Sequence, residues 1–206
     1  MSDTTINKVV LMLADIGGYT RFMVDTRLAV EHSHEIITRL IRALIAQVEL
    51  PLELAKLEGD AVFLYAKKPG DLDAWGEARK NIGANLLQFF AVFHRTLEEL
   101  AGCGSCDCGA CCHIDALRLK IVVHSGTAVF YRIEQFDELS GGDVILAHRL
   151  LKNSVPLQEY ILMTQPAYAD IAFPLQLPVR EGSEHYEHLG EIKTLYCEPL
   201  TGRGAA

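Results

Sequence analysis

Two short segments carry the residue types and spacing that could do chemistry in this chain. The first, residues 11–20 (LMLADIGGYT), is an apolar strand pattern that ends at Asp15 beside two glycines. The second, residues 56–63 (KLEGDAVF), turns at Asp60 beside Gly59. If the two strands pair, Asp15 and Asp60 meet at one end of a sheet. Their carboxylates would then repel each other unless a hard divalent cation lay between them.

The residues that follow Asp15 add the features of a phosphate site. Gly17 and Gly18 let a phosphate approach the backbone, and Tyr19 and Thr20 open the next helix, with Thr20 as the expected N-cap. Backbone N–H groups at a helix start attract an anion. Together these residues predict a metal ion with a bound polyphosphate. Taken singly, Asp15 could equally cap a helix and Asp60 could simply occupy a turn.

Length and composition predict a single globular domain. A chain of 206 residues, half of them hydrophobic and 22% charged, is long enough for one substantial core and short for two. We expect the domain to span residues 1–200, with a cysteine-rich insert at 101–115 and a disordered tail at 201–206.

The net charge and the length of the apolar runs argue against nucleic-acid and membrane partners. The formal net charge is −8 and Lys and Arg do not cluster, so direct nucleic-acid binding is not expected. No apolar run reaches the roughly 18 residues of a membrane span. The N-terminus lacks the basic start and apolar core of a signal peptide. A cytoplasmic protein without membrane contact is therefore the expectation.

Hydrophobic periodicity and turn residues predict an α+β fold. Predicted strands cover 6–13, 52–57, 61–65, 117–123, 127–133, 160–163 and 192–197, and predicted helices cover 20–48, 72–100, 142–153 and 166–171. Ser125 and Gly126 mark a hairpin turn, and residues 172–184 are expected to be loop-rich. Strands and helices alternate irregularly, which is typical of helices packed on one face of a mixed sheet.

Four segments in this order resemble the class III nucleotidyl cyclases, the adenylate and guanylate cyclase catalytic domains. They are the two segments above, residues 117–126 (LRLKIVVHSG) and residues 142–150 (GDVILAHRL), with a weaker match at 189–196 (LGEIKTLY). The match runs from about residue 7 to residue 155 and identifies a divergent bacterial-type member with a cysteine-rich insert. The resemblance implies the ferredoxin-like cyclase fold.

The resemblance also implies a metal site and its reaction. Asp15, Asp60 and the backbone carbonyl of Ile16 would hold two Mg²⁺ or Mn²⁺ ions. With their help the ribose 3′-hydroxyl of ATP or GTP would displace pyrophosphate in line, forming a cyclic nucleotide.

Three further positions match family residues that contact the nucleotide. Lys56 matches a lysine that contacts the purine, Glu138 an acidic residue that reads the base, and Arg149 an arginine that neutralises phosphate charge in the transition state. Read without the family, Lys56 could be an exposed strand lysine and Arg149 a helix-surface arginine.

One position departs from the family pattern. Ile145 stands four residues before Arg149, where the family carries an asparagine that orients the ribose. Isoleucine cannot donate a hydrogen bond, and losing one transition-state donor costs about 10² to 10³ in rate, or roughly 3 to 4 kcal/mol. Residues 187–190 (EHLG) also lack a lysine that some members direct at the phosphates.

The family active site forms between two chains. Asp15 and Asp60 of one copy would face Lys56, Glu138 and Arg149 of the other, so a homodimer would carry two sites. A heteromeric cyclase-like partner is the alternative, because it could supply the missing asparagine.

Five of the six cysteines lie between residues 103 and 112, which in a cytosolic chain points to a metal more than to disulfides. Two Cys-x-x-Cys pairs predict tetrahedral Zn²⁺ bound by four thiolates, with a fifth thiol or an imidazole as a substitute. An iron–sulfur cluster or unliganded thiols are the alternatives. The candidate ligands are Cys103, Cys106, Cys108, Cys111, Cys112 and His113.

Three functions remain open from the sequence. The first is a homodimeric cyclase that acts on a nucleoside triphosphate. The second is a catalytically degenerate module that binds a nucleotide or a partner, which Ile145 favours. The third is a metal- or redox-responsive regulator that uses the cysteine insert as its sensor.

Overall fold

Eight strands in the described part of the chain form one mixed sheet. The computed structural model describes residues 4–26, 29–102 and 108–199. The strands are β1 (Thr5–Gly17), β2 (Glu53–Glu58), β3 (Ala61–Lys67), β4 (Arg118–Ile133), β5 (Phe136–Ser140), β6 (Tyr160–Thr164), β7 (Arg180–Tyr186) and β8 (Gly190–Cys197). The helices are α1 (Tyr19–Asp25), α2 (Val30–Ile45), α3 (Leu72–Gly102), α4 (Gly109–Cys112), α5 (Gly142–Arg149) and α6 (Gln165–Asp170), with a 3₁₀ turn at Ile114–Ala116.

The strand order is β2-β3-β1-β4-β6-β8-β7, and β5 pairs with the far half of β4. The central strand β1 runs antiparallel to both β3 and β4, while β4 and β6 are parallel. Residues 9–14 of β1 are almost fully buried because both faces of this strand are covered. The α+β fold with a mixed sheet that was expected from the sequence is therefore confirmed.

The two faces of the sheet have separate cores. Val10 and Met12 of β1 pack with residues of α2 and α3, including Phe90, on one face. Leu11 and Leu13 pack with α5 on the other. Alternation along a strand makes this division, since successive side chains point to opposite faces. The long helices share one face, and the short α5 leaves much of the second face for a site.

The hairpin predicted around Ser125 and Gly126 is wrong, because β4 continues through both residues to Ile133. Gly126 pairs with Val9 within the sheet. A Cβ at Gly126 would lie 2.2 Å from Cγ of Asp143, so the glycine makes room for a side chain and does not make a turn. The hairpin lies further on, between β4 and β5, where Glu134 has a positive φ of 53°.

The predicted boundaries of several other elements also change. The helix predicted at 20–48 is α1 and α2, and Gly18, with φ of 86°, precedes α1 in the N-cap position predicted for Thr20. Helix α5 ends at Arg149 instead of residue 153. The segment 172–184, predicted as loop-rich, contains the start of β7 (Arg180–Tyr186), an edge strand whose mostly polar residues hide the usual alternation.

Residues 201–206, predicted as a tail, lie outside the described residues. Among the described residues, no helix is long and apolar enough to cross a membrane.

Two glycines of α3 give a matched test of this packing. A Cβ at Gly83 would lie 2.3 Å from the carbonyl oxygen of Ala172, whereas a Cβ at Gly76 meets nothing within 4 Å. We expect Gly83→Ala to lower the free energy of unfolding by about 1 to 3 kcal/mol through overpacking. Gly76→Ala should raise it by about 0.5 to 1 kcal/mol through helix propensity. Urea unfolding measures both, and equal effects of the two substitutions would contradict this packing.

Candidate active site

Strand pairing brings the two aspartates to the same end of the sheet. Asp15 lies opposite Ala61 in the β1–β3 ladder, one residue from Asp60. The backbone N–H of Ile16 donates to the carbonyl oxygen of Asp60 at 3.3 Å, which closes the ladder at this point. Both carboxyl groups are partly buried. The last buried residues of β1 and the β2–β3 turn therefore hold two acids side by side.

Burial and mutual repulsion make this acid pair costly. Burial raises the pKa of Asp15 from 3.8 to about 6, and the negative charge of Asp60 is the second cause of this rise. The positive charge of Lys120 acts in the opposite direction. Burial also raises the pKa of Asp60. The folded state thus holds the Asp15 proton more tightly than the unfolded chain does. The contribution of Asp15 to the stability of the metal-free fold is therefore lost as pH rises from about 4 to about 6.

These residues fit a hard divalent cation. Carboxylate and carbonyl oxygens are the ligands that Mg²⁺ and Mn²⁺ prefer, and a cation would offset the charge that burial leaves poorly solvated. Asp15, Asp60 and the carbonyl of Ile16 lie together at the strand end and are the residues that would hold it.

A basic cleft lies against the glycines that follow Asp15. It has a volume of about 470 Å³ and is lined by Gly17 and Gly18 together with the cations Arg21, Arg118 and Lys120. A Cβ at Gly17 would lie 2.8 Å from Cε of Lys120, so this glycine lets the lysine cover the strand end. Of the two residues predicted beside the glycines, Tyr19 is half-buried and Thr20 is exposed.

Lys56 and Glu138, predicted on separate grounds, form one pair. Nζ of Lys56 donates to Oε2 of Glu138 at 2.7 Å, across β2 and β5. The hydrogen bond to Glu138 raises the pKa of Lys56. Glu138 is part of strand β5 and pairs opposite Tyr131. Oε1 of Glu138 can accept a further hydrogen bond, and the Lys56 ammonium can donate two more. The pair therefore suits a planar ligand that needs an acceptor beside donors.

Helix α5 presents Ile145 and Arg149 together. The two residues are four apart, so they lie on the same side of the helix, and both are exposed. The side chain of Ile145 is 56% exposed, which is unusual for an isoleucine and leaves an apolar group beside the arginine.

Two polar contacts fix α5 on the sheet. His148 approaches both carboxylate oxygens of Glu58 at 3.0 and 3.1 Å and donates from Nδ1 to the carbonyl of Val144. Asp143 accepts from the backbone N–H of Thr127 at 2.7 Å and contacts Nε2 of His124 at 3.0 Å. Since Glu58 belongs to the strand that leads into Asp60, the first contact ties the Arg149 helix to the acid pair of the same chain.

The cysteine-containing segment forms a second cluster on the helical side of the molecule. Nδ1 of His32, on α2, lies 3.3 Å from Sγ of Cys108, which lies 3.5 Å from Sγ of Cys111. The contact with Cys108 raises the pKa of His32. Within the described chain, Cys112 and His113 do not belong to this group, and His113 bonds the carbonyl of Gly109 instead. The predicted ligands Cys103 and Cys106 lie outside the described residues.

Sequence reasoning missed the residues that act through packing. His32 carries no local signal of its role, because its partner cysteine is 76 positions away. His148 is adjacent to Arg149, but its contact with Glu58 depends on how α5 crosses the sheet. Lys120 could have been inferred only from the register that places it opposite Asp15.

Comparison with known proteins identifies both a family and a fold. Residues 37–160, more than half of the chain, match the family described as protein of unknown function DUF2652. An uncharacterized protein of Mycobacterium tuberculosis (strain ATCC 25618 / H37Rv), Rv2561/Rv2562, is 33% identical over 150 residues, covering 73% of this chain and 68% of that protein.

Solved structures of cyclases share the fold. The guanylyl cyclase Cya2 superposes with a TM-score of 0.73 at 11% identity, covering 98% of this chain and 96% of that one. A bacterial light-regulated adenylyl cyclase gives 0.68 at 15% identity over 94% of this chain, which spans 52% of that protein. A class III adenylyl cyclase-like ATP-binding protein from Pseudomonas aeruginosa gives 0.65 at 16% identity, covering 82% of this chain and 36% of that one.

At these identities the structural likeness shows the fold alone. The chain belongs to the DUF2652 family and has the fold of a class III nucleotidyl cyclase catalytic domain.

Proposed function

We propose that the protein is a class III nucleotidyl cyclase-like enzyme that acts on ATP or GTP at sites shared by two copies of the chain. The observation that carries the proposal is the acid pair, because Asp15 and Asp60 are held together at a cost that a divalent cation would offset. The cleft beside Gly17 and Gly18 supports it, since Arg21, Arg118 and Lys120 line it with one acid, Asp25, which pairs with Arg21.

Each residue of the metal half-site has a role in this proposal. Asp15, Asp60 and the Ile16 carbonyl hold Mg²⁺ or Mn²⁺, which when bound would activate the ribose 3′-hydroxyl and neutralise phosphate charge. Gly17 and Gly18 admit the triphosphate, and Tyr19 and Thr20 flank it at the start of α1. Lys120 faces Asp15 across the strands and keeps part of the acid charge balanced before the nucleotide arrives.

Lys56, Glu138 and Arg149 form the second half-site, which the other copy contributes. In the proposed enzyme these residues read the base and stabilise the transition state. The Lys56–Glu138 pair offers an ammonium donor beside a carboxylate acceptor, a combination that suits the ring nitrogen and the amino group of a purine. Arg149 is exposed on α5 and would meet the phosphates of a nucleotide bound mainly by the other copy.

Exposed apolar side chains support a homodimer. Ile133 and Phe136 at the tip of the β4–β5 hairpin are 56% and 58% exposed, and Ile145 on α5 is also 56% exposed. Such groups on the face that carries Lys56 and Glu138 gain stability when a second copy covers them. A cyclase-like partner of different sequence is the other arrangement that would cover this surface.

Ile145 supports a second candidate function. An apolar side chain beside Arg149 cannot orient a ribose, so the chain would bind a nucleotide and act as a catalytically degenerate regulatory module with a zinc-binding insert. The likeness to an adenylyl cyclase-like ATP-binding protein is consistent with this function. Both functions use the acid pair, and only product formation separates them.

A direct assay tests both the site and the activity. The purified protein is incubated with ATP or GTP and Mn²⁺, and the cyclic product is measured against Asp60→Ala as the blank. We expect Asp60→Ala to abolish product and the Mn²⁺-dependent thermal stabilisation by a nucleotide, because one of the two carboxylates that would hold the metal is lost. Asp73→Ala, at an exposed acid in the first turn of α3, is the matched control.

Product above the blank would establish the enzyme and its base preference. Nucleotide-induced stabilisation without product would favour the degenerate module. Unchanged Mn²⁺-dependent binding in Asp60→Ala would sink the proposed metal site.

Replacing Ile145 tests the second half-site. We predict that Ile145→Asn raises cyclase activity by as much as about 10²- to 10³-fold, because the amide restores a donor at the ribose position. Ile145→Ala removes the apolar group without adding a donor and should leave activity within a few-fold of the parent protein. Steady-state rates of cyclic nucleotide formation compare the three proteins. No gain in Ile145→Asn would mean that α5 does not face the ribose.

A further inference from the structure

The cluster on the helical side has the dimensions of a metal site. Nδ1 of His32 lies 3.3 Å from Sγ of Cys108, the two sulfurs are 3.5 Å apart, and all three ligand atoms lie within 4.8 Å of one another. In a tetrahedral zinc site, bond lengths of about 2.3 Å to sulfur and 2.0 Å to nitrogen place two sulfurs about 3.8 Å apart and sulfur and nitrogen about 3.5 Å apart. The His32–Cys108 and Cys108–Cys111 separations agree with these values within a few tenths of an ångström.

We propose that His32, Cys108 and Cys111 bind one zinc ion, which joins α2 to the segment that follows α3. Soft thiolates with one imidazole suit Zn²⁺ and not the Mg²⁺ or Mn²⁺ of the acid pair. The spacing Cys108-Gly-Ala-Cys111 lets one short turn present both sulfurs, while His32 comes from a different element. The fourth zinc position is left for a water molecule or another thiolate.

A metal at this place would fix one wall of the basic cleft. The segment that carries both cysteines continues to Ala116, whose carbonyl oxygen would be 2.9 Å from a Cβ at Gly18. Gly109 faces the methyl group of Thr26, at the end of α1. His113 and Ala116 line the same cleft as Gly17 and Gly18. The segment between Cys108 and Ala116 is therefore packed against α1 and its glycines on one side and tied to α2 by zinc on the other.

In this arrangement the zinc ion would stabilise the glycine loop, by which we mean residues 17–26 with Gly17, Gly18 and helix α1. Loss of zinc would loosen residues 108–116 and with them the contacts that hold residues 17–26. An effect of zinc on nucleotide affinity would follow, and that last step rests on the proposed function. The metal site itself does not.

Zinc content and affinity test the ligand set without any nucleotide or Mg²⁺. We expect about one tightly bound zinc per chain in the full-length protein by elemental analysis. Competition with a chromophoric chelator should show affinity reduced in His32→Asn, Cys108→Ser and Cys111→Ser by more than the roughly 10- to 100-fold that loss of an outer-shell partner costs. His34→Asn, two residues along the same helix, and Cys112→Ser are the matched controls and should bind as the parent does.

X-ray absorption at the zinc edge gives a readout that folding defects do not imitate. The parent protein should show nitrogen scattering from one imidazole beside sulfur scattering, and His32→Asn should lose the imidazole contribution while retaining the sulfurs. A protein that binds no zinc when titrated in its reduced state would overturn the proposal. So would undiminished zinc affinity in His32→Asn, because the site would then consist of other ligands.

Hydrogen exchange tests the support of the glycine loop. Removal of zinc from the parent protein should speed exchange of the amides in residues 17–26 by roughly 10-fold or more, with β7 and β8 unchanged. Zinc binding without this change would overturn the supporting role. Because neither measurement uses nucleotide, failure of the cyclase assay and failure of the zinc site are separate results.

Discussion

The repulsion between two partly buried carboxylates is the constraint on which the rest of the site depends. β1 delivers Asp15 at the point where its core-facing residues end, and the β2–β3 turn delivers Asp60 beside it. A protein that only needed to fold would gain stability by replacing either acid, since burial raises both pKa values and the charge of Asp60 raises that of Asp15 further. The pair is understandable as a place where stability is given up for binding a cation.

The two faces of the sheet are covered by different helices. α2 and α3 cover one face with a large aromatic and aliphatic core. The other face carries α5, held by His148 on Glu58 and by Asp143 on His124. Because α5 covers only part of that face, Lys56 and Glu138 remain partly accessible, and in the proposed dimer they would meet a nucleotide held by the other copy. The cluster of His32, Cys108 and Cys111, for which we propose zinc, lies on the helical side, and the described segment that ends at Ala116 connects it to the cleft.

The sequence was informative where a local pattern determines structure. Apolar runs and glycines were enough to place β1, β3, α3 and the pairing of Asp15 with Asp60, since each depends on neighbours in the chain. It misled at Gly126, where the glycine serves a close approach of Asp143 and not a turn. It also misled at the start of β7, an edge strand with no apolar alternation, where a loop was predicted. His32 and Lys120 could not be inferred, because their partners are set by helix packing and strand register across many residues.

Proton release on Mn²⁺ binding is the most direct test of a metal site at Asp15 and Asp60. Isothermal titration at pH 6 in buffers with different heats of ionisation counts the protons displaced by the metal. With the pKa of Asp15 raised to about 6, the account predicts release of about half a proton per Mn²⁺ at pH 6 and almost none at pH 8, where the carboxyl is already ionised. The pH 6 release should disappear in Asp15→Asn. Mn²⁺ binding without proton release at pH 6, or no Mn²⁺ binding at all, would contradict the account.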